Sequence, residues 1–268
     1  MSVDILTLPP PPADARIQYG DGPYQYGDLR LPDADEPYPL VITIHGGYWR
    51  SRYDLAYLGH ACAALRRRGI ATWNIEYRRI GHPGGGWPGT FTDVALAADY
   101  VRELATEYPL DRTRVLALGH SAGGHLACLL ALRRGIPTGS ELYGDEPLAL
   151  RGVVSLAGVL DLRRAWEQRL SANATQELLR AAPHDEPTRY DVTSPIELLP
   201  AGIPQALIHG RDDENVPSEQ SRRYAEAARD RGDTVTLIEL AATGHFEIVD
   251  PRAKQWRVVE EATVGLLE

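Results

Sequence analysis

Arg114-Val115-Leu116-Ala117-Leu118 runs directly into Gly119-His120-Ser121-Ala122-Gly123, a short apolar run ending in a G-x-S-x-G stretch. The run has the length and bulk of a buried strand. A strand that turns sharply into a helix lifts its apex residue, here Ser121, out of the fold at the cost of strained backbone angles. Only small neighbours fit such a turn. Gly119 and Gly123 let strand and helix pass close together, and Ala122 offers a backbone N–H at the helix start, where an oxyanion is stabilised. The plain alternative is a glycine-rich turn without chemistry. The two readings are separated by whether the chain also supplies a base, an acid to orient it and a second oxyanion donor.

Candidates for all three are present. Upstream, the apolar strand Pro39-Leu40-Val41-Ile42-Thr43-Ile44 runs into His45-Gly46-Gly47-Tyr48-Trp49, a turn whose glycines leave backbone N–H groups open to a substrate oxygen. Downstream, Gln205-Ala206-Leu207-Ile208 reads as a buried strand and ends in His209-Gly210-Arg211-Asp212-Asp213-Glu214-Asn215-Val216-Pro217. A last strand, Thr234 to Leu240, is followed by Ala241-Ala242-Thr243-Gly244-His245-Phe246. His245 therefore sits on a loop after a strand and a Gly, free to approach Ser121. Three carboxylates compete for the acid: Asp213, Asp212 and Asp161, of which Asp212 suits a turn cap.

With these motifs in the order Ser, Asp, His over nearly the whole chain, the sequence resembles an α/β-hydrolase. His45-Gly46-Gly47-Tyr48-Trp49, Gly119 to His125 and His245-Phe246-Glu247-Ile248-Val249 are similar to the kynurenine formamidase (arylformamidase) branch and its esterase relatives, the HGG-x-W pattern being the more specific. The resemblance implies Ser121 as nucleophile, His245 as base and Asp213, three residues past Gly210, as acid. It also implies oxyanion donors at Gly47, Tyr48 and Ala122, with Tyr48 standing where related loops carry Gly. The activity implied is hydrolysis of short-acyl carboxylic esters or aryl formamides through an acyl-enzyme, with no cofactor and no metal. A general short-chain carboxylesterase is the alternative, followed by a peptidase or thioesterase, and by a catalytically silent binding protein. Trp49, Trp87, His120 and Trp166 are candidate pocket residues, Trp49 with core packing as its other reading. His45 and His209, at strand ends, brace their loops.

Composition agrees with this class. With 28 basic against 37 acidic residues the net charge is -9, which argues against nucleic acid or an anionic membrane as partner and for a small ester or amide substrate. Cys62 and Cys128 each fall in a helical apolar pattern, which points to buried hydrophobes rather than a disulfide or metal site. Met1 to Leu8 lacks a signal-peptide pattern and no apolar run approaches a membrane span, so a cytoplasmic enzyme is expected.

The spacing predicts one domain over 1-268: a hairpin at Ala15 to Leu31 behind a stiff leader, Pro9 to Pro12, then alternating strands and helices. Helices are expected at about Thr92 to Glu107, Ala122 to Arg134, Ser218 to Arg231 and Pro251 to Leu267. The fold class is α/β, a mostly parallel eight-stranded sheet with helices on both faces. Residues 161-200 exceed what a crossover needs and read as a short cap or lid over the site or, equally, as a surface excursion with a packed Trp166, with Ala174 to Ala182 helical. Gly84-Gly85-Gly86-Trp87-Pro88-Gly89 formally matches a dinucleotide fingerprint, but it lies beyond its strand and Pro88-Gly89 does not open a helix in the way a phosphate-binding turn requires, so it reads as a structural loop that feeds the next helix.

Overall fold

The computed structural model describes residues 4–268, and its centre is one eight-stranded sheet in the order β1-β2-β4-β3-β5-β6-β7-β8. β1 (Ala15–Gln18) and β2 (Tyr26–Arg30) form the expected antiparallel hairpin, and β2 pairs antiparallel with β4 (Ala71–Ile75). The other strands run parallel: β3 (Tyr38–Ile44), β5 (Leu110–His120), β6 (Gly152–Leu156), β7 (Gln205–Gly210) and β8 (Val235–Leu240). This is the architecture expected of an α/β-hydrolase.

The apolar runs of the central strands are continuous because both faces of the sheet are covered. Successive residues go to opposite sides. Leu40, Ile42, Val115, Ala117 and Val153 pack in one core with α2 (Gly89–Asp99), α3 (Val101–Glu107), α4 (Ala122–Leu132) and α8 (Glu219–Asp230). Val41, Leu116, Leu118 and Val154 pack in the other with α1 (Gly59–Arg66) and α9 (Trp256–Leu267). Cys62 and Cys128 are buried, free thiols in these two layers.

Two expectations are corrected. The helix predicted from Thr92 starts at Gly89, with Pro88 at its N-cap, and is broken at Tyr100 into α2 and α3. Proline is compatible with a helix start because its φ is already helical and its missing N–H would have no partner there. The glycine-rich stretch thus feeds the helix as a structural loop, as its sequence suggests. Its glycines serve the packing of the loop on itself: a Cβ on Gly85 would run into the Arg79 carbonyl, and one on Gly89 into the Gly84 carbonyl. The second correction is α9, which begins at Trp256 instead of Pro251. Asp250 accepts the Arg252 N–H through Oδ1 at 2.9 Å and the Ala253 N–H through its carbonyl at 2.9 Å, which shapes the intervening segment as turns.

Residues 161-200 form three short helices, α5 (Leu162–Glu167), α6 (Leu170–Leu179) and α7 (Pro187–Thr193). α6 is regular only from Ala174, since Ser171, Ala172 and Asn173 take left-handed backbone angles. Arg50 ties this segment to the β3 loop, donating to Ser171 Oγ at 3.0 Å and to its carbonyl at 2.9 Å. Among the described residues, no helix is long and apolar enough to cross a membrane.

Candidate active site

The C-terminal ends of β3, β5, β7 and β8 bring together the motifs that the sequence keeps apart. Ser121 follows β5 directly at φ 58°, ψ -119°, a conformation L-residues rarely adopt, and is buried. The turn closes tightly because there is no side chain to stop it: a Cβ on Gly123 would run into the Ile44 carbonyl, and one on Gly119 into the Gly123 carbonyl. Ala122 is the first residue of α4, where an amide has no intrahelical acceptor.

Of the three competing carboxylates, Asp213 meets the histidine. His245 Nδ1 donates to Asp213 Oδ2 at 2.6 Å, while Asp213 Oδ1 accepts the Asn215 and Val216 amides at 2.8 and 2.9 Å. Burial opposes ionisation of this carboxyl. The hydrogen bonds from His209 and His245 outweigh it and hold the group well below the usual carboxylate range. His245 lines the cleft it shares with Ser121, its Nδ1 turned to Asp213. Asp161 instead caps α5, accepting the Arg164 N–H at 2.9 Å, and pairs with Arg223 at 3.2 Å. Asp212 is exposed.

The β3 loop turns with positive φ at Gly47 (110°), Tyr48 (49°) and Trp49 (57°). Its Gly46 N–H is occupied, donating to Tyr57 Oη at 2.7 Å, which leaves Gly47 and Tyr48 as the candidate donors there. Tyr57 Oη lies 2.9 Å from His120 Nδ1, and His120 Nε2 lies 2.9 Å from the His245 carbonyl. A carbonyl only accepts, so Nε2 carries the proton, Nδ1 accepts the Tyr57 O–H and the Tyr57 oxygen accepts the Gly46 N–H. One directed chain of hydrogen bonds thus joins the β3 loop, the Ser121 turn and the His245 loop. Burial, followed by the neighbouring His245, keeps His120 well below its ordinary histidine value, as a neutral bridge requires.

A second bridge leaves the other side of the turn. Trp49 Nε1 donates to His125 Nδ1 at 3.1 Å, and His125 Nε2 donates to the Thr193 carbonyl at 2.8 Å. Tyr48 Oη donates to the Asn215 carbonyl beside Asp213, and burial, reinforced by the Asp213 charge, pushes its phenol up to about 12. His45 and His209 brace their loops: His45 Nε2 lies 2.9 Å from Glu76, and His209 lies between Ser221 Oγ (2.7 Å) and the Val216 carbonyl (2.9 Å).

The cleft over Ser121 has a volume of about 90 Å³. Besides Ser121, His120, His245, Gly47 and Tyr48, it is lined by Tyr53, Phe246 and Leu6. Of the four pocket candidates only His120 lines it. Trp49 is fully buried against His125, because the positive φ angles before it turn the indole inward. Trp87 is buried beside Phe91, and Trp166 donates to Gln176 at 2.9 Å on the 161-200 segment, no residue of which lines the cleft. Tyr53, Phe246 and Leu6 were not legible as pocket residues, although Tyr53 follows the oxyanion turn and Phe246 adjoins His245.

Comparison with known proteins places these motifs in a family context. The family model described as BD-FAE matches residues 28–227. Esterase LipC of Mycobacterium tuberculosis is 29% identical over 249 residues, covering 88% of this chain and 60% of LipC. The kynurenine formamidase of Danio rerio is 25% identical over 242 residues, covering 87% of this chain and 75% of that enzyme. The chain thus spans less than two thirds of the length of LipC. A solved structure of esterase Est2 from Thermogutta terrifontis with propionate bound superposes with a TM-score of 0.77 at 23% identity, covering 96% and 94% of the two chains.

Proposed function

This chain belongs to the BD-FAE family, on the esterase and formamidase branch of the α/β-hydrolases, and we propose that it is a serine-dependent hydrolase of short-acyl esters and aryl formamides. The observation that carries the reading is the His245–Asp213 bond of 2.6 Å at the edge of the small cleft that holds Ser121.

In this reading His245 Nε2 takes the Ser121 Oγ proton as the oxygen attacks the substrate carbonyl carbon, and Asp213 stabilises the imidazolium that forms. The negative oxygen of the tetrahedral intermediate accepts N–H bonds from Gly47, Tyr48 and Ala122, with a few kcal/mol from each donor. As the intermediate collapses, the bond to the alcohol or aryl amine breaks and His245 protonates the leaving group. Water, deprotonated by the same His245, then releases the acid and restores Ser121.

The substrate class rests on the cleft. Its volume of about 90 Å³ is several times the roughly 10–15 Å³ that a single water needs on this measure, which suits a short acyl group. Tyr48, Tyr53 and Phe246 offer ring faces, and an aromatic leaving group gains about 0.5–1.5 kcal/mol from such a contact. The names of two relatives, an esterase and a kynurenine formamidase, support both arms, and the propionate in Est2 suits a short acyl group.

A chain-length series of nitrophenyl esters assayed beside N-formylkynurenine tests this. Acetate and propionate esters and the formamide are expected to turn over, with a steep fall beyond about four carbons, each tenfold loss being about 1.4 kcal/mol of misfit. Preference for long chains removes the short-acyl reading. Turnover of short esters without the formamide leaves a general short-chain carboxylesterase.

A further inference from the structure

The proline-rich leader has a place in the structure that the proposed chemistry does not use. Residues 4 to 12 are held against β2 and the start of α1 by specific anchors. Arg30, 1% exposed, donates from Nη2 to the Pro11 carbonyl at 2.8 Å. Pro10 packs so closely on the start of α1 that a Cβ on Gly59 would lie 2.6 Å from it. Ile5 is buried at 3% exposure. Asp4 closes the turn between them, accepting the Leu6 N–H at 3.0 Å through Oδ1 and the Thr7 N–H at 3.0 Å through its carbonyl. Consecutive prolines are stiff and extended, so a segment fixed at Pro10 and Pro11 holds the turn before it in a defined position. What that turn delivers is Leu6, which lines the cleft with Ser121, His245, Tyr53 and Phe246.

We propose that residues 4 to 12 are a substrate-selecting strap: Leu6 forms the wall that limits the length of the carbon chain held beside Ser121, and the Pro10–Gly59 and Pro11–Arg30 contacts set the position of that wall. The inference rests on the serine-hydrolase reading of the cleft. Leu6 takes no part in bond making. Its effect is on which substrates fit, because a branched aliphatic side chain at the boundary of so small a cleft excludes any carbon atom that would occupy the same space.

The test is the ratio of kcat/KM for hexanoate over acetate nitrophenyl esters, and for hexyl over ethyl acetates, in wild type, Leu6→Ala, Leu6→Trp and Gly59→Val. Leu6→Ala is expected to raise one of the two ratios at least about tenfold, by opening the wall. Which ratio moves identifies whether Leu6 bounds the acyl or the alcohol side. Leu6→Trp is expected to lower the same ratio and to extend the discrimination down to butyrate or butyl. Gly59→Val, which unseats Pro10 without touching the cleft, is expected to shift it in the direction of Leu6→Ala. Acetate turnover with both ratios unmoved in Leu6→Ala and Leu6→Trp overturns the strap and leaves the hydrolase reading standing. Wild type that hydrolyses neither ester series nor N-formylkynurenine overturns both.

Discussion

Asp213, Asp212 and Asp161 are one chemical group in three settings. Asp213 has its side chain buried and spends one oxygen on His245 and the other on two backbone amides, whereas Asp212 faces solvent and Asp161 caps a helix beside an arginine. Asp213→Asn is therefore expected to lower kcat by about 10³–10⁴-fold, and Asp212→Asn and Asp161→Asn by less than about threefold. Comparable losses at all three would take Asp213 out of the acid role. Tyr57→Phe leaves the Gly46 amide and His120 Nδ1 without their shared partner, a cost of about 1–3 kcal/mol in a buried site. If the bridge positions the oxyanion loop, kcat falls about tenfold or more with KM little changed; an unchanged kcat makes the bridge merely structural. The turns that carry Ser121, Asp213 and His245 were legible in the sequence because each follows a strand, Ser121 immediately after β5, Asp213 three residues after β7 and His245 five residues after β8. Tyr57 and Leu6 were not, because they arrive through tertiary packing and no local pattern marks them.

At the level of elements, strand, turn and helix around Ser121 interlock through absent side chains. Gly123→Ala drives a methyl into the Ile44 carbonyl of the neighbouring strand, and Gly119→Ala drives one into the Gly123 carbonyl within the turn itself. Each is expected to cost at least about 3 kcal/mol in urea unfolding, whereas Gly139→Ala, with nothing within 4 Å of its Cβ position, stays within about 0.5 kcal/mol. A mild Gly123→Ala would mean that helix and strand have room to move apart. The strands were legible because buried parallel strands need unbroken apolar runs such as Leu40 to Ile44. Helix starts were less so: Pro88 reads as a breaker until its position before the first turn is known, and Asp250 diverts Pro251 to Gln255 into turns.

For the whole molecule, the buried histidines couple stability to pH. His125, fully buried between Trp49 and Thr193, is pushed down to about 4 by burial, from 6.5 in an exposed chain. Between those values the unfolded chain binds a proton that the folded chain does not. The stabilisation is complete above pH 6.5 and is lost as pH falls toward 4, by about 3 kcal/mol from this group. His120, also held low, acts in the same direction. Urea unfolding at pH 7, 5.5 and 4.5 is expected to show this slope in wild type and a slope smaller by about one proton in His125→Gln; equal slopes contradict it. The order of motifs made the sheet and its loops legible at this scale. The 161-200 segment was legible as an excursion but not in its placement, since nothing local in its sequence encodes that Leu6 and Tyr53, not Trp166, border the cleft.

The most direct test of Ser121 as nucleophile is intact and peptide mass spectrometry after exposure to a fluorophosphonate, followed with residual activity on a nitrophenyl acetate. A single adduct on Ser121 is expected, formed in step with the loss of activity and absent from Ser121→Ala, whose own turnover is lower on the order of a thousandfold with an unchanged thermal melt. Folded protein that stays unlabelled, or that carries the adduct on another residue such as Ser155 while Ser121→Ala keeps its activity, would contradict it.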